Sequence, residues 1–212
     1  AFRGRGIKGA SGAYSAKTRP SAVKLLPLAI QRERVQALGA VLDEVTARRA
    51  QALKRMVELA RKNRMYKTIR LVDGMGPIFT SMFIAEVGDP RRFRTRSQLW
   101  AYSGLAVSTF ESSEFELQGR QIVRKSRQAK TRGLVRSYNR TLKYIFKQAV
   151  QTLSRFKWAP YYQELLGRTK NTSNAQLTLA RKFASVVLHV AKTGEKYDIA
   201  KVFKTASVSP SD

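Results

Sequence analysis

From Leu28 to Tyr66 the chain carries no proline and a single glycine, Gly39. Within that stretch Val35, Leu38, Leu42, Val45, Ala52, Met56 and Leu59 recur at steps of three and four, with polar Arg49 interrupting the series. Such spacing is an a/d seam. It predicts one long helix, about 55 Å end to end at a rise of about 1.5 Å per residue. The stripe is narrow and suits another long helix better than a sheet. Its partner is either an antiparallel segment of the same chain or a second copy.

Charge then selects the class of partner. The 212 residues hold 41 Lys+Arg against 14 Asp+Glu, a formal net charge of +27. That balance points to a polyanion, nucleic acid before membrane. A hydrophobic fraction of 43% suffices for a core, and the length allows one or two domains. The absence of cysteine excludes thiolate zinc sites, thiol catalysis and disulfides, and the lone His189 excludes a histidine-rich metal site. No apolar run reaches about 18 residues, and no secretory signal opens the sequence. The expected setting is the bacterial cytoplasm, at the nucleoid, with no membrane partner. The chain opens on alanine and is expected to be processed or cut from a longer protein.

Residues 1–27 carry Arg3, Arg5, Lys8, Lys17, Arg19 and Lys24 and no acid, punctuated by glycines and by Pro20 and Pro27. This composition predicts a flexible basic arm, or the edge of a missing domain. Residues 68–104 read as compact helices. Gly74-Met75-Gly76-Pro77 lies between two apolar runs, and Pro77 suits a first helical turn. Gly-hydrophobic-Gly between short helices is either a helix-hairpin-helix, whose second helix offers backbone N–H groups to a phosphate, or a plain tight turn. Thr95-Arg96-Ser97-Gln98 fits a capping box for a helix that Gly104 ends. Val107–Phe110 and Phe115–Val123 have strand composition around Glu111–Glu114, which predicts one small β-hairpin.

The segment 117–163 contains twelve basic residues and no acid. A helix from Gly133 onward would put Arg136, Arg140, Lys143 and Lys147 on one face, opposite Leu142, Ile145, Phe146, Ala149 and Leu153. A solvated charged face normally interleaves glutamates for i,i+4 pairs. Here nothing offsets the repulsion, so the stripe is expected to follow phosphates. A last helix, from about Asn174 to Lys192, buries Ala180, Phe183, Ala184, Val187 and Ala191, with His189 on its opposite face.

The acids are too scattered for a metal site in this chain. A Mg²⁺-dependent nuclease needs several converging carboxylates, and Glu111, Glu114 and Glu116 form the one cluster. A Ser–His–Asp triad is unsupported, because His189 lies far along the chain from the hairpin serines. A serine attacking a DNA phosphate remains open, since arginines can neutralise the pentacovalent charge. Ser112 and Ser113 stand directly before the most cationic segment.

These blocks, Gly74–Pro77, Ala85–Asp89, Arg92-Phe93, Leu99–Leu105 and Ser112, resemble the C-terminal domain of the DEDD-type, RNA-bridged insertion-sequence transposases, a family that includes the pilin-gene invertase. Gly119–Lys125, Asn139–Leu142, Ala180–Lys182 and Gly194–Asp198 match its later motifs, so the likeness covers about residues 70–200 and is most specific from Gly74 to Leu105. The resemblance implies a serine nucleophile, ungapped at Ser112, with Ser113 as the alternative. Ser113 and Glu114 stand where the family has two glycines. It also implies that Mg²⁺ is held by four carboxylates of an N-terminal RuvC-like domain outside these residues, and that no cofactor sits in this chain. Arg120, Arg124, Lys125 and Arg127 would neutralise phosphate beside the serine. The implied partners are DNA, a guide RNA and further copies of the chain, paired in a dimer or tetramer through the long helix.

The expected fold is mainly α. A basic arm (1–27) and a coiled-coil-like helix (28–66) precede a helical transposase domain (67–205) with a helix-hairpin-helix-like turn and one β-hairpin, and a frayed tail (206–212) follows. The expected nucleic-acid contacts are Gly74, Met75, Gly76, Arg120, Arg124, Lys125, Arg127, Arg136, Arg140, Lys143 and Lys147. The rival reading is a non-catalytic basic protein that binds RNA or shapes DNA.

Overall fold

A computed structural model of the chain describes residues 10–110, 115–118, 121–124 and 130–204. The described residues are mainly helical and divide into two units, 1–56 and 57–212.

In the first unit a 3-10 turn (Ala10–Tyr14) leads into helix α1 (Arg19–Lys24), and the long helix α2 starts at Ala29 and ends at Arg61. The flexible arm expected from composition is ordered over α1, and one side chain explains why. Arg19 is buried, donates from Nε to the Ala13 carbonyl (3.0 Å), and grips Asp43 of α2 through Nη1 (2.6 Å) and Nη2 (2.8 Å). The fork geometry of guanidinium on carboxylate makes this a strong contact. Gly39 accounts for the fit: a Cβ there would run into the Arg19 guanidinium. The one glycine of the long helix is therefore where the arm's arginine lies down. The hydrogen bond from Arg19 holds Asp43 below the ordinary carboxylate range. A depressed folded pKa stabilises above the unfolded value and is lost on acidification. Docking of α1 is thus complete above about pH 4 and released as pH falls through the lower folded pKa. Asp43→Asn removes the charge at every pH, and at neutral pH should expose Arg19 and Lys24 to trypsin about tenfold faster, because the charge-assisted pair is lost.

The middle of the α2 seam is exposed, while Val35 packs on Ala22 and Leu26 and Met56 is half-buried. Leu38 is 61% exposed, Val45 56%, and Val41 and Leu42 are exposed beside them.

The second unit is built around helix α8 (Thr172–Thr193). Against it pack α3 (Tyr66–Ile69), α5 (Arg96–Tyr102), α6 (Arg140–Leu153) and α7 (Ala159–Thr169), while α4 (Pro77–Val87) lies on α6. A short α9 (Ile199–Lys204) brings Phe203 edge-on to Trp158, with centroids 5.2 Å apart. Phe183 sits at the centre of the core, fully buried and edge-on to Phe146 (6.1 Å) and Trp158 (5.9 Å). Thr95 and Gln98 form the expected capping box at the start of α5. Asn171 accepts from the Ser173 and Asn174 amides to start α8, and Gly194, in the left-handed region, ends it.

Two expectations change. The strands do not form one hairpin across Glu111–Glu114. Strand β1 (Val107–Phe110) pairs antiparallel with β4 (Lys130–Leu134), and β2 (Phe115–Gln118) pairs with β3 (Gln121–Arg124) between them. The β2–β3 register leaves two residues, Gly119 and Arg120, between paired Gln118 and Gln121. That is the loop length at which Gly-X is favoured, and the local reading overlooked it. Second, α6 starts at Arg140 and not at Gly133. Gly133 has φ +84 inside β4, and the Val135 amide continues the ladder onto the Ala106 carbonyl (3.0 Å). Arg136 consequently precedes the helix and does not share its face. Asn139 is the residue that begins α6, its Oδ1 accepting from the Leu142 amide (2.9 Å).

Candidate nucleic-acid interface

Helix α6 is amphipathic in the plainest sense. Leu142, Ile145, Phe146, Ala149, Val150 and Leu153 are buried, while Arg140 and Lys147 are exposed and Lys143 is half-buried. No acid occurs in the helix. Lys143 is steered by Tyr138, whose ring centroid lies 3.9 Å from Nζ, a cation–π contact that aims the ammonium across the helix start. Lys143 and Lys147 both line a groove of about 560 Å³ whose floor includes Leu105, Val107, Leu134 and Val150. Its far lip is the first turn of α8, with Ser173, Asn174 and Gln176. Cations, amides and a hydroxyl above an apolar floor suit a phosphate backbone with its sugars.

The groove is held in register by Asn139. Its amide N–H donates to the Tyr102 carbonyl (2.8 Å) and its Nδ2 donates to Glu86 Oε2 (2.6 Å). One asparagine thus joins the ends of α4 and α5 to the start of α6. The sequence signal was available, since an asparagine directly before a helical run is a preferred N-cap; its reach to Glu86, 53 residues earlier, was not. The Tyr102 hydroxyl sits in the same cluster and is held below its ordinary range by Arg92 first and Asn139 second. Arg181 ties the groove's back wall: its Nε donates to the Leu105 carbonyl (2.7 Å), and Trp100 Nε1 donates to the Arg181 carbonyl (3.0 Å).

The Gly74–Gly76 turn is placed by packing. Gly74, at φ +83, faces Ala149 and Leu153 of α6, where a Cβ would come within 3.3 Å. Met75 is buried, and Gly76 is the N-cap of α4 with open space beside it. Below it Asp73 accepts from Lys157 Nζ (2.8 Å) and from the Tyr197 hydroxyl (3.1 Å), which in turn accepts from Trp158 Nε1 (3.1 Å). Burial pushes the Tyr197 hydroxyl far above its ordinary range. The tail motif Gly194–Asp198 therefore serves as an anchor for this turn.

Ser112, Ser113, Arg120, Lys125 and Arg127 lie outside the described residues, and Arg124 ends β3. The structure brings Lys143 and Lys147 together at the groove and leaves Arg136 off their helix. Among the described residues no group of three or more His, Asp or Glu converges, and no helix is long and apolar enough to cross a membrane.

Residues 66–132 match the model of the transposase IS116/IS110/IS902 family. That stretch is similar to a transposase-family domain. The matched segment starts at α3, runs through the Gly74–Gly76 turn, α4 and α5, contains Ser112 and Ser113, and ends within β4. The likeness points to DNA as the class of partner and to an enzymatic role for full-length members of that family. No curated protein matches the chain.

Removing the cations of α6 gives a direct test of the interface. Arg140→Ala/Lys143→Ala/Lys147→Ala should lower the slope of log Kd against log salt by about 2–3, at about 0.9 per phosphate contact on duplex DNA. Fluorescence anisotropy over a salt series reads the slope, and an unchanged slope means that α6 touches no phosphate.

Proposed function

We propose that the chain is the serine-bearing part of a DNA transposase that cuts and rejoins strands. The match over residues 66–132 carries this reading, because Ser112 falls within it at the position the family resemblance gives to the nucleophile. The serine Oγ would attack the phosphorus and expel a deoxyribose hydroxyl, and a hydroxyl of a second strand would then displace the serine. The phosphoserine link conserves the bond energy between the steps, so no ATP is needed. Ser113 is the alternative nucleophile. Arg120, Arg124, Lys125 and Arg127 would neutralise the pentacovalent charge, and the groove beside α6 would hold the flanking backbone.

A metal would have to come from elsewhere. Three of the described carboxylates are individually engaged, Asp43 by Arg19, Asp73 by Lys157 and Tyr197, Glu86 by Asn139, and no three acids converge among the described residues. They do not fit a Mg²⁺ site, and no step is assigned to a metal in this chain. Four carboxylates of an N-terminal RuvC-like domain would supply it. The exposed Leu38, Leu42 and Val45 of α2 support pairing of copies through that helix, and a guide RNA is the second nucleic-acid partner that the family likeness suggests.

The test is strand exchange by the full-length protein on DNA that carries its element's ends, with and without the element's transcript. Joined product supports the transposase reading, and dependence on the transcript assigns the RNA. Tight binding without any nicked or joined strand supports the non-catalytic reading instead.

A further inference from the structure

A second cavity, of about 700 Å³, opens on a different face of α8 from the groove, between α5, α7 and the tail segment 195–202. Two features set it apart. Its wall is aromatic, with Trp100 and Tyr161 beside Val186, and its rim is cationic, with Arg96, Arg181 and Lys182. The indole N–H of Trp100 is already used on the Arg181 carbonyl, which leaves the ring as a surface. The Arg96 and Arg181 guanidinium carbons lie 5.6 and 5.8 Å from its centroid.

Among the described residues, no carboxylate lies within 4 Å of the Arg96, Arg181 or Lys182 nitrogens. Burial first, and Arg96 second, disfavour the charged form of Lys182; burial does the same to Arg181. Like charges held together against desolvation gain most from an anion placed between them. The two acids at the cavity are occupied otherwise: Glu195 faces His189 at 3.6 Å, and Asp198 accepts from the Ala200 amide.

From this geometry we infer that the cavity receives one unstacked nucleotide of a single strand, its phosphate between Arg96 and Lys182 and its base against Trp100 and Tyr161. The volume suits a nucleotide-sized ligand and is ample for a bare phosphate. Stacking on an aromatic wall flanked by cations is the usual chemistry of single-strand binding. The inference rests on the nucleic-acid reading of the chain, but no residue lines both this cavity and the α6 groove.

The experiment is ultraviolet crosslinking of the chain to a short oligothymidylate and a short oligouridylate, each with one 5-iodouracil, followed by peptide mapping. Crosslinks should fall on Trp100 or Tyr161, and the stronger of the two arms tells whether the strand is DNA or RNA. Arg96→Ala/Lys182→Ala should weaken binding about tenfold and lower the salt slope by about 0.7, the value for one phosphate on a single strand. Arg96 is exposed and Lys182 half-buried, and an unchanged circular dichroism spectrum shows that the variant is folded. Lys143→Ala/Lys147→Ala should leave the Trp100 or Tyr161 crosslink in place. Crosslinks confined to the groove, or equal affinity in the folded Arg96/Lys182 variant, overturn the inference. Binding that neither pair of substitutions weakens overturns it together with the nucleic-acid role of the groove.

Discussion

Ser112→Ala in the full-length protein, given Mg²⁺ and a labelled element end with its transcript, leaves no denaturant-resistant protein–DNA adduct, while Ser113→Ala retains it. The expected loss is essentially total, on the order of 10⁴-fold or more in rate, because removing a covalent nucleophile removes the step and not merely an interaction. Position makes the contrast informative. The two serines are adjacent, so both substitutions perturb the same local charge, and only the identity of the attacking oxygen differs. Strand β1 ends at Phe110, two residues before Ser112. It is tied to β4 through Phe110 and Lys130, so the chain is delivered toward the serines from a paired strand. Glu111 and Glu114 flank the pair and would repel a phosphate. The arginines that follow must outweigh them, which makes the adduct yield steeply sensitive to salt. Loss of the adduct in Ser113→Ala alone moves the nucleophile by one residue. An adduct that survives both substitutions assigns the chemistry to another residue.

Helix existence was legible because it depends on local period and local caps. The a/d spacing from Val35 to Leu59 predicted α2, and Thr95 with Gln98 predicted the start of α5, because both signals act within a few residues. The strands were not legible in the same way. Nothing local distinguishes β1 pairing with its nearest neighbour β2 from β1 pairing with β4, twenty residues on at the register of Phe110 with Lys130. The same long-range pairing took Gly133 and Leu134 out of the helix assigned to them, and Arg136 left the stripe with them. The groove shows the same division. Lys143 and Lys147 could be placed on one helix face from spacing alone, yet the opposite lip comes from Ser173 and Asn174, which only tertiary packing brings near. Side-chain links across the fold, Asn139 to Glu86 and Tyr197 to Asp73, join residues that composition could not pair. Their role is structural: they fasten segments between which the cationic groove opens.

Gly104→Ala is expected to be among the most damaging single-methyl changes in the second unit, by about 2–4 kcal/mol. Two costs add. Gly104 has φ +68, a conformation that disfavours an L side chain by roughly 1–2 kcal/mol. A Cβ would also meet Tyr138, at 2.6 Å from Cγ and 2.9 Å from Cδ1. Overpacking of that kind costs typically about 1–3 kcal/mol. The ring cannot simply rotate away, because Tyr138 Cβ would itself be 3.0 Å from the new methyl. The neighbouring backbone is also committed: the Gly104 amide donates to the Ala101 carbonyl, and Leu105 and Ala106 both donate to the Trp100 carbonyl. Relief must come from the other side, by moving residues 138 and 139. That movement strains the Asn139 amide bond to the Tyr102 carbonyl and takes the Tyr138 ring from under Lys143. The substitution should therefore lower the melting temperature and separately weaken DNA binding in whatever fraction stays folded. Thermal denaturation and anisotropy below the transition read the two effects. Tyr138→Ala in the Gly104→Ala background removes the clash but not the positive-φ cost, so it should recover about half of the lost stability while leaving Lys143 unsteered. If the double variant recovers stability and binding together, Tyr138 has no part in aiming the cation; if it recovers stability alone, the ring is what holds Lys143 over the groove.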